Sequence, residues 1–298
     1  MTEWFPLRAE VADVLREGGL DPATVERVVR RALDEDLALG PDVTTIATVP
    51  DGARTTGDIV PRSPGVLAGV PVAAAVFAIV GGDDVELALQ AADGMAARPH
   101  TPVLSVTGAT RSLLTAERTA LNLIGHLSGV ATLTRRWVDA VSGTSAAIRD
   151  TRKTIPGMRV LEKYAVRCGG GENHRMALGD AALVKDNHVS AAGGITAAVE
   201  AVRAHAPTIA LEVECDTLEQ VREAIEAGVQ LVLLDNFSLE DTRAAVEMVQ
   251  GSRVRLEASG GLTLERAREV AGTGVDYLAV GALTHSAPVL DLGFDLRD

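Results

Sequence analysis

From about residue 145 onward, short apolar runs recur along the chain, and each ends in a polar residue followed by an amphipathic segment. LEVECDTLEQVREAIEAG (211–228), VQLVLLDNFSLEDTRAAVEMV (229–249) and VRLEASGGLTLERAREVAGTG (254–274) are three such units, and VDYLAVGALTH (275–285) begins a fourth. SAAIRDTRKT (145–154) and DAALVKDNHVS (180–190) fit the same scheme. Nearly continuous apolar runs suit parallel strands buried on both faces. Strand–helix alternation predicts an α/β barrel or a doubly wound sheet. About six strands fall short of a full eight-stranded barrel. Thr217, Ser238 and Thr263 stand at helix N-cap positions, with Thr217 and Gln220 spaced as a capping box, and Gly228 and Gly274 stand where helices close.

The first third is less regular. Asp21-Pro22 opens a helical pattern over 25–39. Residues 57–60 and 102–106 read as strands. Between them, 64–80 reads as strand, turn and a buried helix with Pro71 in its first turn. A long helical pattern covers 110–141, with a break expected near Gly125 or Gly129.

In α/β barrels the reactive side chains stand at the C-terminal ends of the strands. Here those ends carry Arg152 and Lys153, Lys185, Glu214, Asp235, Ser259 with Gly260, and Gly281. The last four ends are spaced 21, 24 and 22 residues apart (214 to 235, 235 to 259, 259 to 281). Any one of them alone reads as a cap or turn residue. As a set they sort by chemistry, with cations first, carboxylates next and small residues last. Guanidinium groups bind carboxylates and phosphates bidentately. Paired carboxylates suit Mg²⁺ or ribose hydroxyls. Small residues before helix N-termini make a phosphate cradle. The pattern implies a phosphorylated sugar together with an anionic partner. A glycosidase-like acid/base pair at Glu214 and Asp235 leaves the cations unexplained. A Schiff-base lysine at Lys153 or Lys185 stays open on residue type.

Charge sharpens this picture. The chain carries a net charge of −13, which disfavours nucleic acid and anionic membranes as partners. Yet between 149 and 175, seven bases (Arg149, Arg152, Lys153, Arg159, Lys163, Arg167, Arg175) face three acids (Asp150, Glu162, Glu172). That window reads as a site for a small, highly charged anion. Hydrophobic residues make up 47% and aromatics only 3%, so the core is aliphatic. Two distant cysteines, Cys168 and Cys215, argue against a disulfide framework or a zinc site. The opening MTEWFPLRAE lacks a signal-peptide pattern, and 64–80 is too short to span a bilayer, so a cytoplasmic protein is expected.

The segment DTRKTIPGMRVLEKYAVRCGGGENHRMALGDAALVKDNHV (150–189) resembles the signature region of quinolinate phosphoribosyltransferases, the carboxylating nicotinate-nucleotide pyrophosphorylases. So do ERTALNLIGHLSG from Glu117, LEVE ending at Glu214, LLDN from Leu233, EASGG from Glu257 and VGALTHS from Val280. The resemblance runs from about residue 30 to the end. It implies an N-terminal α/β sandwich (1–127, with 287–298 returning to it) and an incomplete α/β barrel (128–286), the type II phosphoribosyltransferase architecture. It implies a glycosyltransferase that moves phosphoribose from phosphoribosyl pyrophosphate (PRPP) to quinolinate with decarboxylation, in de novo NAD biosynthesis. It also implies a homodimer or higher assembly in which Arg118 enters the neighbouring subunit's site.

By the same resemblance, Arg152, His174 and Arg175 hold the quinolinate carboxylates with Arg118. Thr151, Lys153 and Lys185 line the pocket, the two lysines acting on quinolinate or pyrophosphate. Glu214 and Asp235 hold ribose hydroxyls and Mg²⁺, directly or through water. Ser259, Gly260 and Gly281 take the 5-phosphate, with His285 nearby, and Asn187 and His188 support Lys185. His100, His126 and His205 are read as structural. A related transferase for nicotinate or another acceptor (the molybdenum-locus homologue), or a non-catalytic phosphate-sensing barrel, would share much of this pattern.

Overall fold

The computed structural model describes residues 4–297; the first three residues of the segment read for a leader lie outside them. The chain forms two compact units. One holds residues up to Leu133, Ile155–Gly170 and the stretch from Ser286; the other holds Thr134–Thr154 and Gly171–His285. Residues 155–170 therefore group with the first unit, although the sequence reading places them in the barrel.

In the first unit, strands β1 (Arg54–Pro61), β3 (Glu86–Leu89) and β5 (Leu104–Ala109) join the late strand Leu292–Leu296 in an antiparallel sheet. Its order is Leu292–Leu296, β1, β5, β3. Short strands β2 (Gly65–Val66) and β4 (Ala96–Ala97) pair beside it. The helix Val70–Gly81 is apolar on every side and buried along its length, as such a composition requires. Phe77 meets Phe294 of the sheet with ring centroids 5.4 Å apart. The helix start is capped by Asp93, whose two carboxylate oxygens accept the Gly69 and Val70 N–H groups at 2.7 and 3.0 Å. Asp21 caps the helix Pro22–Asp36 through the Thr24 N–H.

The long helix Thr110–Ala140 is continuous, against the expected break. Its glycines serve close approach instead. A Cβ on Gly129 would lie 2.1 Å from the Pro288 carbonyl oxygen, and one on Gly125 would lie 3.1 Å from that of Leu290.

The second unit is a parallel sheet of six strands: β6 (Ala147–Arg149), β7 (Ala181–Val184), β8 (Ala210–Cys215), β9 (Leu231–Asp235), β10 (Arg255–Ser259) and β11 (Tyr277–Ala279). Strands β7 to β11 lie in chain order and β6 pairs with β11. No ladder joins β6 to β7 among the described residues, so the barrel is incomplete, as the sequence reading expects. Helices follow the strands. Thr217 and Gln220 form the expected capping box, and Ser238 accepts the Asp241 N–H at 3.0 Å. Thr263 makes no side-chain cap, because a single 3₁₀ turn (Leu264–Arg266) replaces the first turn of an α-helix there. Among the described residues, no helix is long and apolar enough to cross a membrane.

Candidate active site

Side chains alternate across a strand, so residues two apart share a face. The register of the parallel ladders puts Arg149 beside Ala279, Glu257 beside Leu233 and Tyr277, Glu214 beside Leu233, and Ser259 beside Asp235. One face of the sheet thus collects Arg149, Glu212, Glu214, Asp235, Glu257 and Ser259. The opposite face carries Val213, Val232, Leu234, Leu256 and Leu278, which are buried.

At the C-terminal ends of the strands, this inner face opens into a cavity of about 400 Å³. Nine of the predicted residues line it: Thr151, Arg152, Lys153, His174, Arg175, Lys185, Glu214, Asp235 and Ser259. Leu183, Leu233 and Ala279 supply its apolar wall, and Glu257 its floor. Gly281 and His285 adjoin it: a Cβ on Gly281 would lie 3.0 Å from Lys153 Cδ, 3.4 Å from His285 Nε2 and 3.5 Å from Thr151 Oγ1. Gly260 lines a smaller neighbouring cavity, with Ser259 shared between the two. At φ +83° it packs against Asn236 in a place a larger residue cannot occupy. Arg118 lies on the first unit's helix Thr110–Ala140 and is exposed.

The cations are held by their neighbours. Thr151 Oγ1 accepts the Lys153 N–H at 3.0 Å, and Thr284 donates to the Lys153 carbonyl at 2.9 Å. Arg175 donates from Nη1 to the Ala181 carbonyl at 3.0 Å. The buried Nε–H groups of Arg152 and Arg175 have no protein acceptor among the described residues. Burial, and then the charge of Arg152, lower the pKa of Arg175. Two guanidinium groups that repel one another in one cavity are suited to a ligand with more than one negative charge. Lys185 Nζ pairs with Glu214 Oε2 at 2.5 Å, and the Lys185 N–H donates to His188 Nδ1 at 2.9 Å, the supporting contact expected of that histidine. Asn187 instead bonds the neighbouring Asp186 through its backbone N–H. Asp235 accepts from the Asn236 side chain at 2.7 Å.

Beneath these groups runs a buried polar network that the strand-end reading leaves out. Arg149 Nη1 donates to Glu257 Oε2 at 2.5 Å and stacks over Tyr277 at 4.3 Å. His174 Nε2 lies 2.7 Å from Glu212 Oε2 and 3.6 Å from Glu257 Oε1. Asp150, fully buried, accepts from the His174 N–H at 2.9 Å and from Asn173 Nδ2 at 2.6 Å. Burial first, and the charge of Glu212 second, push the Glu257 carboxyl up to about 7. The signal that could have found Glu212 and Glu257 is a carboxylate inside a buried parallel strand, two residues before a strand-end polar group. Among the described residues, His174, Glu212 and Glu257 form the one group of three whose donor atoms come within 4.8 Å of each other. The predicted metal pair, Glu214 and Asp235, is not in it. Cys215, on the opposite face, has its thiol pushed up to about 12 by burial, which makes it inert.

The comparisons with known proteins decide the family. The family model described as quinolinate phosphoribosyl transferase, C-terminal domain, matches residues 130–295, and the corresponding N-terminal domain matches 42–128. The chain belongs to the quinolinate phosphoribosyl transferase family. It is 56% identical, over 90% of its length and 95% of the relative's, to the nicotinate-nucleotide pyrophosphorylase [carboxylating] of Mycobacterium leprae. It is 38% identical to the human protein of that name, over 93% of each chain. The solved nicotinate-nucleotide pyrophosphorylase from Francisella tularensis superposes with a TM-score of 0.88 at 39% identity, covering 92% of this chain and 96% of that one.

Proposed function

We propose that this chain transfers phosphoribose from PRPP to quinolinate, releasing pyrophosphate and carbon dioxide and giving nicotinate mononucleotide, a step of NAD biosynthesis. The observation that carries the acceptor assignment is the pair of arginines, Arg152 and Arg175, each with a buried Nε–H lacking a protein acceptor in one cavity. A dicarboxylate answers both; a monocarboxylate answers one. The apolar side chains of Leu183, Leu233 and Ala279 in the lining suit an aromatic ring.

In this reading the arginines fix the acceptor so that its ring nitrogen faces the anomeric carbon of PRPP, and such positioning supplies much of the rate. The nitrogen–carbon bond forms as the bond from that carbon to pyrophosphate breaks. Lys153 and Lys185 stabilise the departing pyrophosphate. The ring nitrogen, now cationic, accepts the electron pair of the adjacent carboxylate's bond, carbon dioxide leaves, and the ring carbon takes a proton. Glu214 and Asp235 accept hydrogen bonds from the ribose hydroxyls, while Ser259, Gly260, Gly281 and His285 take the 5-phosphate. The hard oxygens of Glu214 and Asp235, at adjacent strand ends, also fit Mg²⁺ held directly or through water. The metal, when bound, neutralises pyrophosphate charge. Arg118 completes the acceptor site of a neighbouring subunit in a homodimer or larger assembly, and the protein works in the cytoplasm.

The test is to incubate the purified protein with Mg²⁺ and PRPP, once with quinolinate and once with nicotinate, following pyrophosphate and nicotinate mononucleotide. Product from quinolinate alone supports the reading. Product from nicotinate alone moves the acceptor, and no pyrophosphate release at all leaves a binding role.

A further inference from the structure

The resemblance gives His174 to the acceptor's carboxylate, but the geometry gives its ring another task. The Arg175 N–H donates to His174 Nδ1 at 2.8 Å. A nitrogen that accepts a hydrogen bond carries no proton, so the ring is neutral and its proton sits on Nε2. That Nε2–H donates to Glu212 Oε2 at 2.7 Å. Both ring nitrogens are thereby spent on the protein. Glu212 and the fully buried Glu257 stand behind the ring, and Arg149 neutralises Glu257 from the far side. The three donor groups resemble a metal triad in spacing, and Glu212 Oε1 and Glu257 Oε1 accept no hydrogen bond among the described residues, but the histidine's Nε2 already carries a proton that it gives to Glu212 Oε2.

We infer that His174 is a positioning residue: its neutral ring bridges Glu212 to the main chain of Arg175 and thereby aims that guanidinium at the acceptor. The inference rests on the quinolinate reading above and deepens it. The loop bearing Arg175 is fastened at several points, and three of them bear on the backbone of His174 and on Arg175. Asp150 takes the His174 N–H, the His174 ring takes the Arg175 N–H, and the Ala181 carbonyl takes Arg175 Nη1. The only one of the three that links the arginine's backbone to the barrel interior is the His174 ring. Its loss leaves the guanidinium in place on average but poorly aimed, and aim at a bidentate site is worth more than presence.

The experiment is a double-mutant cycle on quinolinate affinity, measured by calorimetry on the full-length protein so that slow turnover does not hide the result. His174→Ala should weaken quinolinate about tenfold while leaving the KM for PRPP within about twofold. In an Arg175→Ala background the same change should cost little more, because the two residues act as one unit. His174→Asn, whose side-chain oxygen can take the place of Nδ1, should recover most of the loss. Additive effects in the cycle, or a His174→Asn variant no better than His174→Ala, would overturn the inference.

A second readout needs no altered enzyme in the measurement itself. In ¹⁵N-histidine spectra, with the His174 signal assigned by its absence from His174→Asn, the Nε2–H tautomer should be present and persist when quinolinate is added. An imidazolium or an Nδ1–H tautomer in either state would refute the assignment. Wild-type protein that binds no quinolinate would instead refute the reading it rests on, and the two failures are thus distinct.

Discussion

In the first unit, the helix Val70–Gly81 lies among Ala, Val, Ile and Phe side chains with almost no exposure. On the inner face of β6 to β11 the chain places Glu212 and Glu257 at comparable burial, with Arg149, half-buried, paired to Glu257. The first arrangement is cheap, because apolar burial stabilises by roughly 25 cal/mol per Å² and leaves nothing unpaired. The second is costly, since charges taken from water must be paired and hydrogen-bonded to persist. A fold bears that cost where something must be held rigidly, and here the charged layer lies directly under the residues that face the cavity. The polar layer is therefore a scaffold for aim, and the apolar layer a scaffold for stability alone.

Removing the cavity's cations should give the largest effect. Arg175→Ala or Arg152→Ala should lower kcat/KM for quinolinate by roughly 100-fold or more, since truncating one side of a desolvated charge pair costs about 2–5 kcal/mol. The denaturation midpoint should move little, because neither Nε–H bonds the protein among the described residues and Arg175 gives up a single partly exposed bond, from Nη1 to the Ala181 carbonyl. A variant with near-normal turnover would undo the acceptor assignment and with it the functional half of the contrast.

Next come the layers themselves. Phe77→Ala should destabilise by about 3–5 kcal/mol through the cavity it leaves, yet the protein that remains folded should show unchanged KM values. Glu257→Ala should cost a similar amount, about 3–5 kcal/mol, because Arg149 is left as an uncompensated buried charge. It should in addition weaken quinolinate binding. Urea unfolding followed alongside kinetics separates the two. If Glu257→Ala loses stability but keeps its KM values, the polar layer does no more than the apolar one.

The contrast also explains what could be read in the chain beforehand. Strand-end polar groups were legible because a regular spacing of strands fixes where their ends fall, and six of them (Arg152, Lys153, Lys185, Glu214, Asp235 and Ser259) meet in one cavity. Thr151 and His174 were expected there only from the family resemblance, and Arg175 from that and from the run of bases it closes. The capping box at Thr217 was legible because its partners are three residues apart. The buried layer was not, because its pairs are distant: Arg149 meets Glu257 108 residues on, and His174 meets Glu212 38 residues on. Local pattern carries no information about such partners. Gly125 and Gly129 were misread as a break for the same reason, since what they accommodate is backbone from residues 288–290. Thr263 does stand at the N-cap position read for it but makes no side-chain cap, a difference hidden from local pattern because a 3₁₀ turn and an α-helical turn begin alike in sequence.

A finer break in the comparison uses pH. The Glu257 carboxyl is pushed up to about 7 from an unfolded value of 4.5, with burial as the main cause. A carboxyl raised in the folded state contributes stability that is fully present below its unfolded value and lost as pH rises through its folded one. Between about pH 5 and about pH 8, wild type should therefore lose stability relative to Glu257→Gln, which cannot titrate. A constant difference across that window would mean that Arg149 neutralises Glu257 fully. No comparable trend should separate wild type from Phe77→Ala.

The smallest expected effect tests whether the second unit is rigid because of its caps or because of its charged interior. Thr217 and Gln220 exchange bonds at 3.3 and 3.2 Å on the outer helix Leu218–Glu226, which follows the strand bearing Glu212 and Glu214. Thr217→Ala removes one of those bonds and should cost about 1 kcal/mol of stability, read from the urea midpoint. Glu214 stands only three residues before Thr217, so a strand end that depended on the cap would transmit the loss to the PRPP site. We expect KM for PRPP and for quinolinate to stay within about twofold of wild type, because the ladder bonds of β8 to β7 and β9 hold the strand on both sides. A larger rise in the PRPP KM would place the rigidity of the carboxylates in the helix cap, and would make the buried charges answerable for the cation side of the cavity only.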